Sequence, residues 1–335
     1  MTTAPTGLSQ QSDFDEYRGE LVGYCYRMLG SAFDADDAVQ ETMLRAWRSI
    51  DRFEGRSALR SWLYRIATNV CLDMLGSRKR RARPMDLSST SWQPVEASLS
   101  ARRPEDTWLE PVLDSHVLPA AADPADVAVG RESIRLAFVA ALQHLPPRQR
   151  AVLILRDVLR WKADEVATLL DTTVASVNSA LQRARATLEA RGLSAGEEYD
   201  PLNAEQQELL QRYVEAFESY DIDRFVSLLR EDATQNMPPY EMWLGNREDI
   251  GAWMLGPGHG CRGSRLVPVV ANGAPAFAHY KPSGPGGRHE PWALQVLEVS
   301  DGEVVAITSF LDTRLFELLG LPSHPDDATP MTPAS

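Results

Sequence analysis

The sequence predicts a multidomain protein in which two all-α domains, the second with a helix-turn-helix, are followed by an α+β domain. Three observations predict this order. Apolar residues recur at helical spacing in the first part of the chain. A short polar segment from Gly192 to Asp200 then separates this part from a region of different composition. In that last region helical patterns come first and β-type alternation follows, which is typical of an α+β domain.

Length and composition set the outer bounds. A chain of 335 residues is long enough for two or three domains, each with its own core. It contains no apolar run of about 18 residues, and residues 1–12 are polar without a hydrophobic signal core, so we expect a cytoplasmic protein with no membrane partner. The three cysteines are widely spaced and fit neither a disulfide framework nor a zinc site, so no metal or other cofactor is predicted.

The net charge of −13 conceals an uneven distribution. Residues 14–83 sum to about +3 and residues 131–192 to about +4, whereas residues 84–130 sum to about −6 and residues 201–318 to about −8. Most of the basic residues are arginine, which binds phosphate groups in a bidentate manner. The two helical blocks are therefore the candidates for binding a nucleic acid, and the acidic segments lie between and after them.

The first helical domain, residues 14–84, contains a helix with two distinct faces. Asp34 is predicted to cap this helix, because aspartate accepts hydrogen bonds from the free N–H groups of a helix N-terminus. The buried stripe consists of apolar residues at helical spacing: Val39, Met43, Ala46, Trp47 and Ile50. A second face repeats at the same spacing but is acidic and polar around one leucine: Asp37, Gln40, Glu41, Leu44 and Arg48. From the pattern alone, this second face is either a solvated surface or a docking surface.

The next helix also has a second face. Its core stripe is apolar and lies between Leu59 and Met74. Trp62, Arg65 and Asn69 share another side of the helix, and a basic run over residues 78–83 follows directly. An aromatic ring beside cationic groups suits a surface that stacks bases and neutralises phosphates. The alternative is a core tryptophan followed by a solvated tail.

The motifs Phe53-Glu-Gly-Arg-Ser57 and Trp62-Leu-Tyr-Arg-Ile-Ala-Thr-Asn69 follow the acidic helix in this order. With that helix they resemble region 2 of sigma-70 family initiation factors, in the form of the extracytoplasmic-function (ECF) group. The resemblance implies that the acidic face docks on the clamp helices of the largest subunit of core RNA polymerase. It also implies that the loop and the next helix recognise and open the −10 promoter element. The residues implied in −10 binding are Phe53, Ser57, Trp62, Arg65, Asn69, Arg78, Lys79 and Arg80.

Residues 85–130 form an acidic segment rich in proline, serine and alanine. Such a composition predicts a flexible tether with short helical turns at most. In the family that this sequence resembles, the corresponding segment runs through the RNA exit path of the polymerase, where its negative charge mimics a transcript. Both paths remain open for this longer linker.

The second helical domain, residues 131–192, contains a helix that ends at a proline pair, a helix over residues 148–160 and a helical hairpin. The hairpin has a turn of three residues at 171–173, and we interpret it as a helix-turn-helix. Together with Leu145-Pro-Pro-Arg-Gln-Arg-Ala-Val-Leu153, it resembles region 4 of sigma factors, which implies contacts to the −35 promoter element and to the polymerase flap. The residues assigned to −35 binding are Thr173, Ser176, Asn178, Ser179, Arg183 and Arg185.

The C-terminal part, residues 201–320, is predicted to begin with three helices and to end in an antiparallel sheet, with Asp301-Gly302 as a hairpin turn. This order resembles the cone-shaped fold of SnoaL-like polyketide cyclases and nuclear transport factor 2, in which a curved sheet encloses a pocket. Residues 321–335 are expected to form a disordered tail. The predicted strands are 265–271, 274–280, 292–299 and 303–311.

An enzymatic pocket in this cone would need a carboxylate or a histidine as general base. His279 and Asp312 are the candidates for this role, with Tyr240, Trp243 and Trp253 as walls. No motif pairs either candidate base with a second polar group, so we expect a protein that is not an enzyme.

These features together predict a sigma factor that binds core RNA polymerase, recognises the −10 and −35 promoter elements and directs transcription initiation. The acidic C-terminal domain is expected to modulate this activity in cis, and a small-molecule ligand of this domain is left open. The alternative is a DNA-tethered binder of small molecules, or an enzyme of cyclase or isomerase type, that acts through the cone.

We expect Asn69→Ala to impair promoter opening strongly without weakening polymerase binding, because Asn69 lies on the face assigned to the −10 element and not on the acidic face. Permanganate footprinting of the open complex measures the first effect, and co-purification with core polymerase measures the second. Unchanged permanganate reactivity would contradict the assignment of this face.

Overall fold

The computed structural model folds into two compact units. One unit consists of Met1–Arg81 and Ser115–Leu193, and the other of Ala82–Asp114 and Ser194–Ser335. The first is helical, whereas the second combines helices with a six-stranded sheet, which confirms the predicted fold class. The structure describes residues 14, 16–50, 53, 58–76, 80–118, 124–191, 199–200 and 203–328.

The described residues of the first helical domain form the helices α1 (Arg18–Leu29), α2 (Ala32–Ser49) and α3 (Leu59–Leu75). The N-terminus of α2 is capped by Ser31, whose hydroxyl accepts a hydrogen bond from the N–H of Asp34 at 3.1 Å. Serine is among the residues that cap helices best, so the capping position lies three residues earlier than the sequence predicts.

The prediction that Asp34 caps α2 is therefore wrong. The carboxylate of Asp34 is buried and forms an ion pair with Arg81, with an N–O distance of 2.7 Å. A buried carboxylate is stable only when a charged or hydrogen-bonding partner compensates it. This pair ties the end of the first helical domain back onto α2.

The buried stripe of α2 differs most from the prediction at Trp47, which is 48% exposed. Val39 and Ala46 are fully buried as expected, whereas Met43 and Ile50 are half-buried. The residues that α2 buries also include Ala35 and Ala38, so the stripe is narrow and made largely of small side chains. Trp47 lies about 100° around the helix axis from Ala46 and therefore faces outward.

The second helical domain and the helix before it differ from the prediction in two places. The predicted continuous helix after residue 131 is interrupted between Glu132 and Leu136. The predicted helix over residues 148–160 is shorter and continues as a π-helical turn over Ile154–Val158. The helix-turn-helix is present as predicted. The helices are α4 (Pro124–Glu132), α5 (Leu136–Leu142), α6 (Pro147–Leu153), α7 (Ala163–Leu169) and α8 (Val174–Glu189).

A seam of buried polar contacts joins the two helical domains within this unit. The guanidinium of Arg27 in α1 donates to the hydroxyl of Ser133 at 2.7 and 2.9 Å. Arg150 in α6 donates to the side chain of Gln143 at 2.7 Å and to the carbonyl oxygen of Met28. Both arginines are buried, and this burial lowers the pKa of each to about 10. Both therefore remain charged near neutral pH, and their hydrogen bonds hold the two domains together.

Aromatic contacts extend this seam. The rings of Tyr64 in α3 and Trp161 lie 5.0 Å apart between centroids. The guanidinium of Arg60 lies 5.5 Å from the ring of Trp161. Such aromatic and cation–π contacts add stability beyond the area that they bury.

The second unit is built around a mixed sheet. Its helices after residue 200 are α9 (Ala204–Ser219), α10 (Ile222–Ser227), α11 (Arg247–Leu255) and α12 (Arg314–Leu318). Its strands are β1 (Leu229–Asn236), β2 (Trp243–Leu244), β3 (Arg265–Ala271), β4 (Ala274–Lys281), β5 (Glu290–Ser300) and β6 (Glu303–Phe310). Their order across the sheet is β2-β1-β6-β5-β4-β3.

The sheet is more complex than the sequence predicts. Strands β3 to β6 are the four predicted strands and pair antiparallel. Strand β1 was not predicted and pairs parallel with β6, so the prediction of a purely antiparallel sheet is wrong. The sequence of β1, LREDATQN, is too polar to show the alternation that identifies a strand.

The predicted hairpin turn between β5 and β6 is confirmed. Ser300 pairs with Glu303, and the two residues between them, Asp301 and Gly302, have φ angles of 54° and 75°. Aspartate and glycine adopt such left-handed conformations more easily than most residues. The turn thereby fixes the register between these two strands.

Aromatic side chains fill the space between α9 and the sheet. The ring of Tyr213 lies 5.7 Å from that of Phe277 and 5.3 Å from that of Phe225. The Tyr213 hydroxyl donates to Oε1 of Gln295 at 2.9 Å. Because these aromatic side chains are almost completely buried, core packing occupies the space between α9 and the sheet, where the predicted cone would hold its pocket.

Residues 82–114, which we name the strap, pack on this unit instead of forming the flexible tether that their composition predicts. The N–H of Trp92 donates to the carbonyl oxygen of Trp243 at 2.8 Å. The N–H of Asn272 donates to the carbonyl oxygen of Val112 at 3.0 Å. A segment rich in proline and acidic residues packs on a folded surface when its main-chain N–H and carbonyl groups find hydrogen-bond partners there. Composition alone does not reveal such partners.

Candidate nucleic-acid interface

The acidic face of α2 is accessible in the structure. Asp37, Gln40 and Arg48 are exposed, and Glu41 is half-buried. Leu44, at the centre of this face, is 50% exposed. Carboxylates repel phosphates, so a face of this kind suits docking on a protein surface better than binding to DNA.

Trp47 enlarges this face beyond the sequence-based prediction. It lies three residues after Leu44, which makes the two exposed apolar side chains neighbours on one side of α2. Aromatic residues are enriched in protein–protein interfaces. The sequence signal for an exposed Trp47 is the series of alanines on the buried side of α2. Small side chains let the helix pack closely against its neighbours, and this leaves no room for a tryptophan on that side.

The face of α3 assigned to the −10 element combines an aromatic cluster with polar side chains. Trp62 is half-buried, and its ring lies between those of Phe14 and Phe53 at centroid distances of 6.4 and 5.1 Å. Arg65 and Asn69 are exposed on the same helix. The predicted set also includes Ser57, Arg78 and Lys79, which lie outside the described residues.

Two members of this set contact the second helical domain. Arg65 donates from Nη2 to the carbonyl oxygen of Thr168 in α7 at 3.4 Å. Arg80 lies with Nη1 2.5 Å from Nδ1 of His144. Side chains assigned to the −10 element are thus engaged at the seam while the two helical domains are packed together.

The helix α8 presents polar side chains from its N-terminal half. Thr173 caps the helix, since its hydroxyl accepts a hydrogen bond from the N–H of Ser176 at 3.1 Å. Asn178 is exposed, and Ser179 accepts a hydrogen bond from Arg183 at 2.7 Å. A recognition helix presents its first turns to the major groove in this way.

Arg185 differs from Arg183 in its partner. Its guanidinium pairs with the carboxylate of Asp157 at 2.6 Å, and this hydrogen-bonded pair raises the pKa of Arg185. A guanidinium that already has a carboxylate partner contributes less to the neutralisation of DNA phosphates. Asp157 lies 28 residues before Arg185, so the sequence alone does not reveal the pair.

Two of the pocket candidates, Trp253 and His279, lie in the core of the second unit. The His279 ring meets that of Phe217 edge-on with 5.3 Å between centroids. Its Nε2 finds no hydrogen-bond partner in the described part of the chain. Burial lowers the pKa of His279 to about 3, so this side chain is neutral and is a poor general base near neutral pH.

The other three pocket candidates lie beside the strap. Trp243 donates from Nε1 to the carbonyl oxygen of Ser88 at 3.2 Å. The ring of Tyr240 lies 5.8 Å from the guanidinium carbon of Arg102. Asp312 lines a cavity of about 310 Å³ between the strap and the end of β6. The structure therefore does not bring the five candidates into one pocket, and the cavity that Asp312 lines has the strap as one wall.

Three protein families match successive parts of the chain. Sigma-70 region 2 matches residues 14–81, sigma-70 region 4 matches residues 135–188, and the SnoaL-like domain matches residues 210–307. These matches coincide with the two helical domains and with the α+β domain of the fold. They define a sigma-70 type protein with an appended SnoaL-like domain.

Relatives from Mycobacterium tuberculosis span most of the chain. The ECF RNA polymerase sigma factor SigG (strain ATCC 25618 / H37Rv) is 48% identical over 311 residues, which cover 92% of this chain and 82% of the relative. The ECF RNA polymerase sigma factor SigJ of the same strain is 28% identical over 306 residues, or 88% and 89% of the two chains. The crystal structure of SigJ shares the fold with a TM-score of 0.58 at 24% identity, over 93% of this chain and 100% of that one. The chain therefore belongs to the ECF RNA polymerase sigma factors, a family that works with core RNA polymerase and promoter DNA and whose members are not enzymes.

Among the described residues, no helix is both long and apolar enough to cross a membrane. The same residues contain no group of three or more His, Cys, Asp or Glu side chains placed to hold a metal ion. The cysteines Cys25, Cys71 and Cys261 are free thiols.

We expect Arg183→Ala to weaken duplex binding more than Arg185→Ala, because Asp157 already neutralises Arg185. The slope of log affinity against log salt concentration should fall by about 1 for Arg183→Ala. Asp157→Asn should strengthen binding, since it releases the Arg185 guanidinium for a phosphate. Fluorescence anisotropy of labelled promoter duplex at several salt concentrations measures all three, and equal losses for the two arginines would contradict the assignment.

We expect the second unit to lose stability on acidification through His279. Its pKa in the folded state lies below the unfolded value of about 6.5, so the contribution of the neutral form is complete above that pH and is lost as the pH falls towards 3. The loss between pH 7 and pH 5 should be about 2 kcal/mol. Native-state hydrogen exchange of the β4 and β5 amides measures it.

The matched variants in this experiment are His279→Leu and His289→Gln. The first removes the buried imidazole at similar volume and should flatten the pH dependence. The second changes a more exposed histidine of the same unit and should leave the dependence as in the wild type. An unaltered pH dependence in His279→Leu would show that another group titrates.

Proposed function

We propose that this chain directs core RNA polymerase to promoters and that its SnoaL-like domain restrains this activity through the strap. The acidic face of α2, with Leu44 and Trp47, docks on the clamp helices of the largest subunit. The α3 face with the preceding loop reads and opens the −10 element. The helix α8 reads the −35 element while its domain rests on the polymerase flap.

The two promoter elements are too far apart for the packed helical unit. About 25 base pairs separate their centres, which is about 85 Å of duplex at about 3.4 Å per base pair. A compact unit of about 150 residues has a radius of gyration of about 15 Å. Both elements are therefore bound only after the seam around Arg27 and Arg150 has opened and the two helical domains have separated.

The single observation that carries the regulatory part of the proposal is the closure of the strap on itself. The N–H of Ala82 donates to the carbonyl oxygen of Thr107 at 2.9 Å, and the N–H of Leu109 donates to the carbonyl oxygen of Ala82 at 3.1 Å. The strap is the covalent connection between the two helical domains. An extended chain spans at most about 3.5 Å per residue. While the loop is closed, the residues between Ala82 and Thr107 do not add to the distance that this connection can span between the two helical domains.

The SnoaL-like domain holds the closed strap at several positions. Arg103 N–H donates to the carbonyl oxygen of Pro239 at 3.1 Å, and Glu241 N–H donates to that of Ala101 at 2.9 Å. The carboxylate of Glu105 pairs with Arg314 at 2.5 Å. With the contacts at Trp92 and Val112, these attachments run along most of the strap.

The last attachment involves both the side chain and the main chain of one residue. The Oδ1 of Asn272 accepts a hydrogen bond from the N–H of Val112 at 3.1 Å, in addition to the bond from its own N–H to the carbonyl oxygen of Val112. The carboxylate of Asp114 accepts a hydrogen bond from the N–H of Gly273 at 2.8 Å. The C-terminal end of the strap is therefore fixed at the turn between β3 and β4.

We expect Asn272→Gly to raise transcription several-fold. The substitution leaves the N–H of Val112 without its side-chain acceptor, which costs about 1–3 kcal/mol for a buried group. Glycine also keeps the left-handed conformation of this position, where φ is 56°. Run-off transcription with bacterial core polymerase, on a template that includes the protein's own upstream region, measures the effect.

The matched control is Asp301→Gly, which changes another turn residue with φ of 54° in the same unit, one whose carboxylate accepts a hydrogen bond from Ser300 of the same turn. It should leave transcription unchanged. Equal transcription from wild type and both variants would refute the restraint by the strap while leaving the sigma function intact. Failure of all three proteins to bind core polymerase would refute the proposed docking.

The alternative of an enzyme in the SnoaL-like domain has less support. Of its two candidate bases, His279 is neutral and faces the ring of Phe217. Asp312 is held in an ion pair by Arg314 at 2.5 Å, and this partner lowers the pKa of Asp312. Neither side chain is poised to take a proton from a substrate near neutral pH.

A further inference from the structure

We infer that the cavity between the strap and the end of β6 binds a small amphipathic monocarboxylate. Its headgroup takes the place of Glu105 on Arg314, and its apolar body fills the cavity. The consequence for transcription rests on the restraint by the strap proposed above, whereas the binding itself is measured without transcription.

The cavity has the size and the walls of a ligand site. Its volume of about 310 Å³ lies at the lower end of the range of about 300–1,000 Å³ that is usual for small-molecule pockets. Trp108 and Leu109 of the strap are buried on one side, and Phe310 and Leu315 are buried on the other. Such walls favour a ligand with an apolar body.

The mouth of the cavity carries an ion pair that a ligand can exchange. The guanidinium of Arg314 binds Asp312 with N–O distances of 2.5 to 3.1 Å and binds Glu105 of the strap at 2.5 Å. Arg314 and Glu105 each have 59% of their side-chain surface exposed. An exposed ion pair of this kind is weak in water, so a carboxylate that also buries an apolar body competes with Glu105.

A second guanidinium fixes the sign of the ligand charge. Arg102 lines the same cavity, is exposed, and lies over the ring of Tyr240 without a carboxylate partner among the described residues. The carboxylates of Asp312 and Glu105, in contrast, already share Arg314. The cavity therefore offers Arg102, in addition to Arg314, as a hydrogen-bonding cation for an incoming carboxylate.

Glu110 restricts the ligand further. It is half-buried and also lines the cavity, so a second negative charge on the ligand would be repelled there. A single carboxylate is the headgroup that this lining accepts. When it binds, Arg314 keeps a charged partner and the strap loses the attachment at Glu105. Binding thereby loosens the strap, and water solvates the displaced Glu105 carboxylate, which is already largely exposed.

The test compares three ligands that differ only in their headgroup: decanoate, decan-1-ol and decylammonium. Isothermal titration of the full-length protein should show decanoate binding most tightly. Arg102→Gln should weaken decanoate binding about tenfold, because it removes a charge-assisted hydrogen bond. Glu105→Gln should strengthen it, since it removes the internal competitor for Arg314.

The matched control is Arg262→Gln. Arg262 also lies over a tyrosine ring, that of Tyr220 at 4.6 Å, and belongs to the same unit, but it does not line the cavity. Unchanged decanoate binding in this variant, together with the loss in Arg102→Gln, supports the site. Equal losses in both variants would overturn it.

Further outcomes decide whether the ligand site or the release of the strap is refuted. Equal binding of decan-1-ol and decanoate, tighter binding of decylammonium, or no binding of any of the three would each overturn the inference. If decanoate binds as described but leaves run-off transcription unchanged, the release of the strap is refuted and the site stands. If Asn272→Gly raises transcription and decanoate does not bind, the site is refuted and the restraint by the strap stands.

Discussion

Two buried guanidinium groups govern how the helical unit is put together. Arg27 and Arg150 lie on opposite sides of the seam, and each donates to oxygen atoms of the other domain or of the segment that leads into it. The partners among the described residues are hydroxyl, amide and carbonyl oxygens, and these satisfy a charge only while several of them are in place at once. Only the bond to Met28 takes Arg150 across the seam, because its other partners, Gln143 and Leu145, belong to its own domain.

This constraint explains why the two helical domains look independent in sequence and pack as one unit in structure. Each domain has its own apolar stripes, whose predicted members are buried or half-buried apart from the exposed Trp47. The seam itself depends on polar residues such as Ser133 and Gln143, which lie at helix ends and carry no periodic signal. Sequence periodicity identifies what each helix buries, but it does not show which polar side chains meet across a domain boundary.

Other differences from the prediction have equally local causes. Aspartate is a common helix-capping residue, yet Ser31 caps α2 instead of Asp34. The carboxylate of Asp34 forms an ion pair with Arg81. Strand β1 is too polar to be recognised, and it is recruited by pairing with β6 rather than by its own pattern. The pocket residues were chosen because the family fold encloses a pocket, whereas in this chain aromatic rings such as those of Tyr213 and Phe277 occupy the space between α9 and the sheet. The cavity that Asp312 lines is formed with the strap, where no sequence signal points.

The strap is attached largely through its main chain, and this has a consequence for how the protein diverges. The hydrogen bonds at Ala82, Trp92, Arg103 and Val112 use N–H and carbonyl groups that nearly every amino acid supplies. Exposed side chains along the strap can therefore be substituted during evolution without altering the path of the chain. Proline is the exception at positions 82, 92, 103 and 112, because it lacks the N–H that each of these residues donates. Homologous straps should consequently keep their course across the domain long after their sequences cease to be alignable.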